Sequence, residues 1–280
     1  MVCYALDQGA RQTEDSLINS ISTIMNNSAI GVFDSGMGGL SVWRELRRAL
    51  PEESLIYYGD GKNCPYGNRS AEEIVGFVEE AVESLLARGV KMIVVACNTA
   101  TAVAIDTLRS RYRIPFVGME PAVKPAALSS QSGVIGVLAT KASFGGALYL
   151  ASEARYGEQV QIIRAVGDGF VEVVERGDDH TPEAVEVVRR AVEPMIEAGA
   201  DRIVLGCTHY PFLADTIAEV IGGRAVEIID PAPAVARRAA WLLDEHDLRA
   251  ESGNKPRYEF LSADGEEYAK RLADRAKILM

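Results

Sequence analysis

The chain is short of the residues that usually build metal sites and disulfide frameworks. It has four cysteines and three histidines in 280 residues, and Cys3, Cys64, Cys97 and Cys207 include no CxxC pair. That spacing predicts reduced thiols rather than a disulfide scaffold or a zinc centre, so no metal ligands are expected. No stretch approaches the roughly 18 uninterrupted apolar residues that a membrane span needs. A surplus of basic residues is also missing. The net charge is −11, which excludes nucleic acid and an anionic membrane as main partners but permits a locally positive pocket for an anionic small substrate. GxGxxG, P-loop, Ser-x-Lys and GxSxG signatures are absent, so dinucleotide, nucleotide and serine-nucleophile chemistry have no support. Residues 1–28 carry Asp7, Glu14 and Asp15 and no apolar run. They read as a loosely packed polar leader, not a secretory signal, with Met25 as an alternative start. The expected compartment is the cytoplasm.

What is present is an alternation of short apolar runs and amphipathic segments. Strands are predicted at Ala29–Asp34, Leu55–Tyr58, Met92–Cys97, Pro115–Gly118, Gly133–Ala139, Val160–Arg164, Arg202–Cys207 and Val226–Ile229. Helical spacing of Val42, Leu46 and Leu50 marks a helix over Leu40–Leu50, and Ser70 with Glu73 forms a capping box for another that runs to about Arg88, with Gly89 as its stop. Further helices are expected at Thr101–Tyr112, at Pro182–Ala198 with Val185, Val188, Val192 and Ile196 on one face, and at Glu266–Leu279. Such alternation implies an α/β fold with parallel sheets flanked by helices, and ligands bind such sheets beyond the carboxyl ends of the strands.

The two halves of the chain also resemble each other. Ile30-Gly31-Val32-Phe33-Asp34 is matched by Ile135-Gly136-Val137-Leu138-Ala139, and Met92–Cys97 by Arg202–Cys207. Gly31 to Cys97 spans 66 residues and Gly136 to Cys207 spans 71. The expected architecture is therefore two pseudo-symmetric, doubly wound parallel-sheet domains, 29–118 with 231–280 and 119–230, with the active site in the cleft between them.

Chemistry concentrates where the two matched strands end. Cys97-Asn98-Thr99 and Cys207-Thr208-His209 each place a thiol beside neutral hydrogen-bonding groups, which suits a substrate with carboxylate and ammonium ends. A thiol with a pKa of about 8.5 needs help to act as a base at neutral pH. A helix start after Cys97 and the imidazole of His209 could each supply that help. Asp34-Ser35-Gly36-Met37-Gly38-Gly39 ends the first strand; it either caps the next helix or cradles a carboxylate and assists a thiol. His180 and His246 read as solvated surface groups, and Cys64 and Cys3 as bystanders. Two thiols from one duplicated unit suit a reaction that works on both faces of one carbon.

Four motifs together resemble the bacterial glutamate racemases of the aspartate/glutamate racemase family: Phe33-Asp34-Ser35-Gly36, Cys64-Pro65-Tyr66-Gly67, Ala96-Cys97-Asn98-Thr99-Ala100-Thr101 and Leu205-Gly206-Cys207-Thr208-His209-Tyr210-Pro211. The likeness runs from about Ala29 to Ala240. It implies cofactor-independent racemisation of glutamate that supplies D-glutamate for peptidoglycan, and a homodimer. By matching motif, Cys97 would take the α-proton from D-glutamate and Cys207 from L-glutamate. Asp34 would assist Cys97 and His209 would assist Cys207. Asp34, Ser35, Tyr66, Gly67, Asn98, Thr99, Thr208 and His209 match substrate contacts, as does Thr140 at the end of Gly136–Thr140. Glu175 resembles an auxiliary carboxylate near the second thiol, with Glu172 as a rival alignment; Gly167 stands where many members carry a cysteine. The alternatives are an aspartate racemase, and a thiol hydrolase or lyase in which Cys207 is nucleophile, His209 its base and Cys97 idle.

Overall fold

The computed structural model describes residues 26–280. Most of the 1–28 leader, with Cys3 and Met25, lies outside the described residues. At its end the chain is anchored: Lys91 donates to the Asn26 carbonyl, and the Glu251 N–H donates to Asn27 Oδ1 at 3.1 Å.

Two all-parallel sheets carry the fold. The first contains β1 (Ile30–Asp34), β2 (Leu55–Gly59), β3 (Met92–Val95), β4 (Phe116–Gly118) and β9 (Tyr258–Ser262), in the order β4-β3-β1-β2-β9. The second contains β5 (Val134–Ala139), β6 (Gln161–Val166), β7 (Arg202–Gly206) and β8 (Glu227–Ile229), in the order β6-β5-β7-β8. In chain order the helices are α1 (Leu40–Ala49), α2 (Ala71–Leu86), α3 (Asn98–Arg111), α4 (Val123–Ser129), α5 (Lys141–Gly145), α6 (Ala147–Tyr156), α7 (Phe170–Arg176), α8 (Pro182–Glu197), α9 (Ala214–Ile221), α10 (Ala232–Glu245) and α11 (Glu266–Ile278). Short 3-10 turns cover Tyr66–Asn68 and Tyr210–Leu213.

The duplication is visible in the strand order. In each sheet the second strand lies on one side of the opening strand and the thiol-bearing strand on the other, so β2-β1-β3-β4 repeats as β6-β5-β7-β8. Register agrees: Ile30 pairs with Met92 and Phe33 with Val95, while Ile135 pairs with Arg202 and Ala139 with Gly206. The matched glycines have a packing reason. A Cβ on Gly31 would come within 3.1 Å of Leu85 in α2, and one on Gly136 within 2.5 Å of Met195 in α8. Each opening strand thus omits one side chain so that an equivalent helix can lie close to it.

The central strands read as continuous apolar runs because they are covered on both faces; every residue of β1 and β3 is buried. One apolar core joins Ile30, Trp43 and Tyr57 of the first half to Phe170, Val188 and Tyr210 of the second. Two further clusters fill the outer face of each sheet.

Several sequence expectations need correction. The helix after Cys97 begins at Asn98, not Thr101, because Cys97 itself caps it. Val185 and Ile196 are only partly buried in α8, and the covered stripe is Ala184, Val187, Val188, Ala191, Val192 and Met195. The helix is pressed between the second sheet and α9, so its buried stripe is wider and rotated. Strand β9 and helix α10 had no counterpart in the sequence reading. They return the chain to the first sheet, where β9 pairs in parallel with β2 and α10 packs on α1.

Candidate active site

Both thiols emerge at the carboxyl ends of their sheets and reach one cavity of about 350 Å³. Cys97 caps α3: its Sγ accepts the Ala100 N–H at 3.5 Å, and its S–H points to Ser35 Oγ at 3.6 Å. Burial and the nearby Asp34 carboxylate push the Cys97 thiol well above its ordinary range, against the Ala100 N–H and Ser35 hydroxyl. Cys207 has a different neighbour, the His209 ring, with Nδ1 at 3.8 Å from Sγ.

A relay of hydrogen bonds backs His209. Its Nε2 lies 2.7 Å from Glu175 Oε1, which also accepts the Met37 N–H at 2.7 Å. The Tyr268 hydroxyl in α11 donates to Glu175 Oε2 at 2.6 Å. Burial disfavours a charged His209, yet bonds to Cys207, Cys64 and Glu175 carry its pKa well above 6.5. Burial would likewise raise Glu175, but His209, Tyr268 and the Met37 N–H outweigh it and leave the carboxyl below its usual 4.5. Both shifts favour the charged pair, an imidazolium beside a carboxylate.

Each half holds the other's carboxylate. Asp34 of the first half accepts the Thr208 hydroxyl at 3.1 Å and the Gly36 N–H at 3.0 Å. Glu175 of the second half is held by Met37 of the first. Burial raises the Asp34 pKa, opposed by the charge on His209 and the Gly39 and Gly36 amides. The glycines of the Asp34–Gly39 turn make this closeness possible: a Cβ on Gly36 would sit 2.2 Å from Glu175 Oε1, and one on Gly38 would sit 2.3 Å from His209 Nδ1.

Of the residues singled out in the sequence, Ser35, Tyr66, Gly67, Cys97, Asn98, Thr99, Thr140, Cys207, Thr208 and His209 line the cavity. Asp34 and Glu175 do not; they stand behind its wall and act on the residues that form it. Thr99 and Thr140 hydroxyls lie 3.0 Å apart and share Ser143. Among the described residues, the buried Asn98 side chain has no partner for either its oxygen or its nitrogen, an arrangement that calls for a polar ligand. Glu172 lines the mouth, whereas Glu175 is the carboxylate that reaches His209. Cys64, read from sequence as a bystander, lies with its Sγ 3.9 Å from Glu175 Oε1. Sequence reasoning also missed Tyr268. It lies 93 residues from Glu175, and no local pattern signals that contact. Lys141, Asp168 and Tyr210 are additional wall residues.

The model of the Asp/Glu/hydantoin racemase family matches residues 30–239. The chain belongs to that family. A glutamate racemase of Herpetosiphon aurantiacus is 48 % identical to it over 88 % of this chain and 97 % of that protein. Among solved structures, a glutamate racemase isoform of Bacillus anthracis superposes with a TM-score of 0.80 at 33 % identity, covering 89 % of this chain and 94 % of that one. The Escherichia coli glutamate racemase, solved with L-glutamate and the activator UDP-MurNAc-Ala, superposes with a TM-score of 0.77 at 33 % identity over 89 % and 95 % of the two chains. The segment matched by the racemase family model includes both thiols, the Asp34 turn and Glu175. Strand β9 and Tyr268 lie beyond it.

Proposed function

We propose that this protein interconverts L- and D-glutamate by proton transfer between Cα and two thiols, one acting on each face. The observation that carries this reading is that two thiols from two copies of one structural unit reach a single cavity, which Ser35, Asn98, Thr99, Thr140 and Thr208 also line with hydrogen-bonding groups. The family relationship and the glutamate-bound relative support glutamate as the substrate.

With L-glutamate bound, Cys207 acts as the thiolate, its charge balanced by the imidazolium of His209. It takes the Cα proton, and the electron pair left on Cα collects a proton from the Cys97 thiol on the opposite face. The product is D-glutamate, with Cys97 now the thiolate and Cys207 the thiol. The Ala100 N–H, the start of α3 and the Ser35 hydroxyl hold the Cys97 thiolate. Starting from D-glutamate, the same steps run backward. The Asn98 amide, the Thr99–Thr140–Ser143 hydroxyl cluster and Thr208 hold the substrate's charged ends, and these preorganised donors lower the cost of the carbanion. In this reading 29–118 with 231–280 and 119–230 are the two domains, the reaction runs in the cytoplasm without a cofactor, and it supplies D-glutamate to the cell wall.

The test is to incubate the purified protein with L-glutamate, without added cofactor, and follow optical rotation. Decay to zero rotation is expected. Constant rotation with L-glutamate and decay with L-aspartate would make the protein an aspartate racemase. Constant rotation with both would overturn the racemase reading.

A further inference from the structure

Cys64 has no part in the proton transfers above, yet it stands in a chemically distinctive place. It lies in the loop between β2 and the Tyr66 turn, partly buried, with Glu175 and His209 beside it. One ligand atom from each of Cys64, Glu175 and His209 lies within 4.8 Å of the others, and this is the one such cluster among the described residues. We propose that these three side chains form a binding site for a thiophilic divalent cation, Zn²⁺ first, and that filling it inhibits racemisation. The inhibition rests on the function proposed above; the binding does not.

The donor set selects the metal. One sulfur, one imidazole nitrogen and one carboxylate oxygen suit zinc and reject the all-oxygen preference of Mg²⁺ and Ca²⁺. Zinc bonds of about 2.3 Å to sulfur and 2.0–2.2 Å to nitrogen and oxygen place tetrahedral ligand atoms roughly 3.3–3.6 Å apart. The thiol and carboxylate atoms are 3.9 Å apart and must close by a few tenths of an ångström. The imidazole and carboxylate atoms are 2.7 Å apart and must open by about half an ångström to admit the ion. Both adjustments lie within side-chain rotation. Three protein ligands leave a fourth position for water. The Glu175 side chain is 18 % exposed, so the cluster is open to solvent on that side.

Groups beyond the three ligands are already in place. Tyr268 holds the other carboxylate oxygen at 2.6 Å, and the ring's Nδ1 faces Cys207 at 3.8 Å. Such outer hydrogen bonds orient metal ligands. Cys97 is a poorer site, since its hydrogen-bond partners are a hydroxyl and a backbone amide. Metal on Nε2 would fix the His209 proton on Nδ1 and break the ion pair with Glu175. His209 could then no longer balance the charge of Cys207, which is the route to inhibition.

The experiment uses the full chain, stripped with a chelator and dialysed against Zn²⁺, with Co²⁺ as a spectroscopic substitute. The wild type should bind one Zn²⁺ per chain, and the Co²⁺ form should show a thiolate-to-cobalt charge-transfer band. Cys64→Ala and Cys64→Ser should lose the band and weaken Zn²⁺ binding at least ~10-fold, while a Cys97→Ser/Cys207→Ser double variant keeps both. Zinc inhibition, read against each protein's own zinc-free rate, should weaken in parallel for the Cys64 variants. No Zn²⁺ bound by the wild type overturns the proposal. So does unchanged binding in both Cys64 variants, or loss of binding in the double variant, which would place the metal on the catalytic pair.

Discussion

The surroundings of Cys97 and Cys207 differ far more than the strands that carry them. Each thiol leaves a strand next to the opening strand of its sheet, in equivalent register. Beyond that point the symmetry stops. Cys97 runs directly into the 14-residue helix α3 and caps it, with one hydroxyl and one backbone amide as partners. Cys207 runs into a 3-10 turn and faces an imidazolium backed by Glu175 and Tyr268. One thiol is stabilised by backbone dipoles and the other by a side-chain charge relay. A repeated fold can thus deliver two thiols to one cavity while tuning each by unrelated means, and changes to the relay should act unequally on the two.

The largest break in the comparison comes from removing either thiol. Cys97→Ser and Cys207→Ser should each cost about 10²–10⁴-fold in kcat or more, because each strips one proton-transfer group from the cycle; circular dichroism should show the fold intact. Full activity in either variant would leave a single-thiol mechanism. Next is Glu175→Gln. It removes the counter-charge of His209 and should lower kcat by about 10–100-fold, with a fall in the pKa of His209 seen by NMR. Tyr268→Phe is a milder version of that change. It removes one donor from Glu175, lets the Glu175 pKa rise and should reduce kcat by about 10-fold. Because Tyr268 acts through Glu175, KM should hold steady while the pH–rate profile moves. An unmoved profile would reduce the tyrosine to a packing role.

The smallest effect is on stability. Glu175 is held below 4.5 in the folded chain, so its share of stability is present above the unfolded glutamate pKa and fades as pH falls through the folded value. His209 is held above 6.5, so its share is complete below that pH and fades as pH rises through the raised value. The gap in Tm between wild type and His209→Asn should therefore be widest near pH 6 and shrink on the alkaline side. A gap that widens with alkali would contradict the ion pair.

The residues told part of this in advance. β1, β3, β5 and β7 were legible because strands buried on both faces must be apolar throughout. The pairing of each opening strand with a thiol strand was implied by the repeated motifs. β9 was not legible: it is a five-residue edge strand with no fully buried position, so it lacks both the continuous run and clean alternation. Tyr66, Gly67, Thr140 and Glu175 entered through family resemblance, since nothing in their residue type sets them apart. Tyr268 and Cys64 approach Glu175 only through tertiary packing, and the stripe on α8 shifted because two layers cover that helix rather than one.

The central claim is that two groups, not one, exchange protons with Cα. The direct measurement is the early reaction of L-glutamate in D₂O, with deuterium at Cα determined separately in the recovered L-glutamate and the D-glutamate formed. Two thiols on opposite faces predict deuterium at Cα of the product and protium in the unreacted substrate. Deuterium appearing equally in both enantiomers from the first turnovers would mean that one group serves both faces, and the two-thiol account would be wrong.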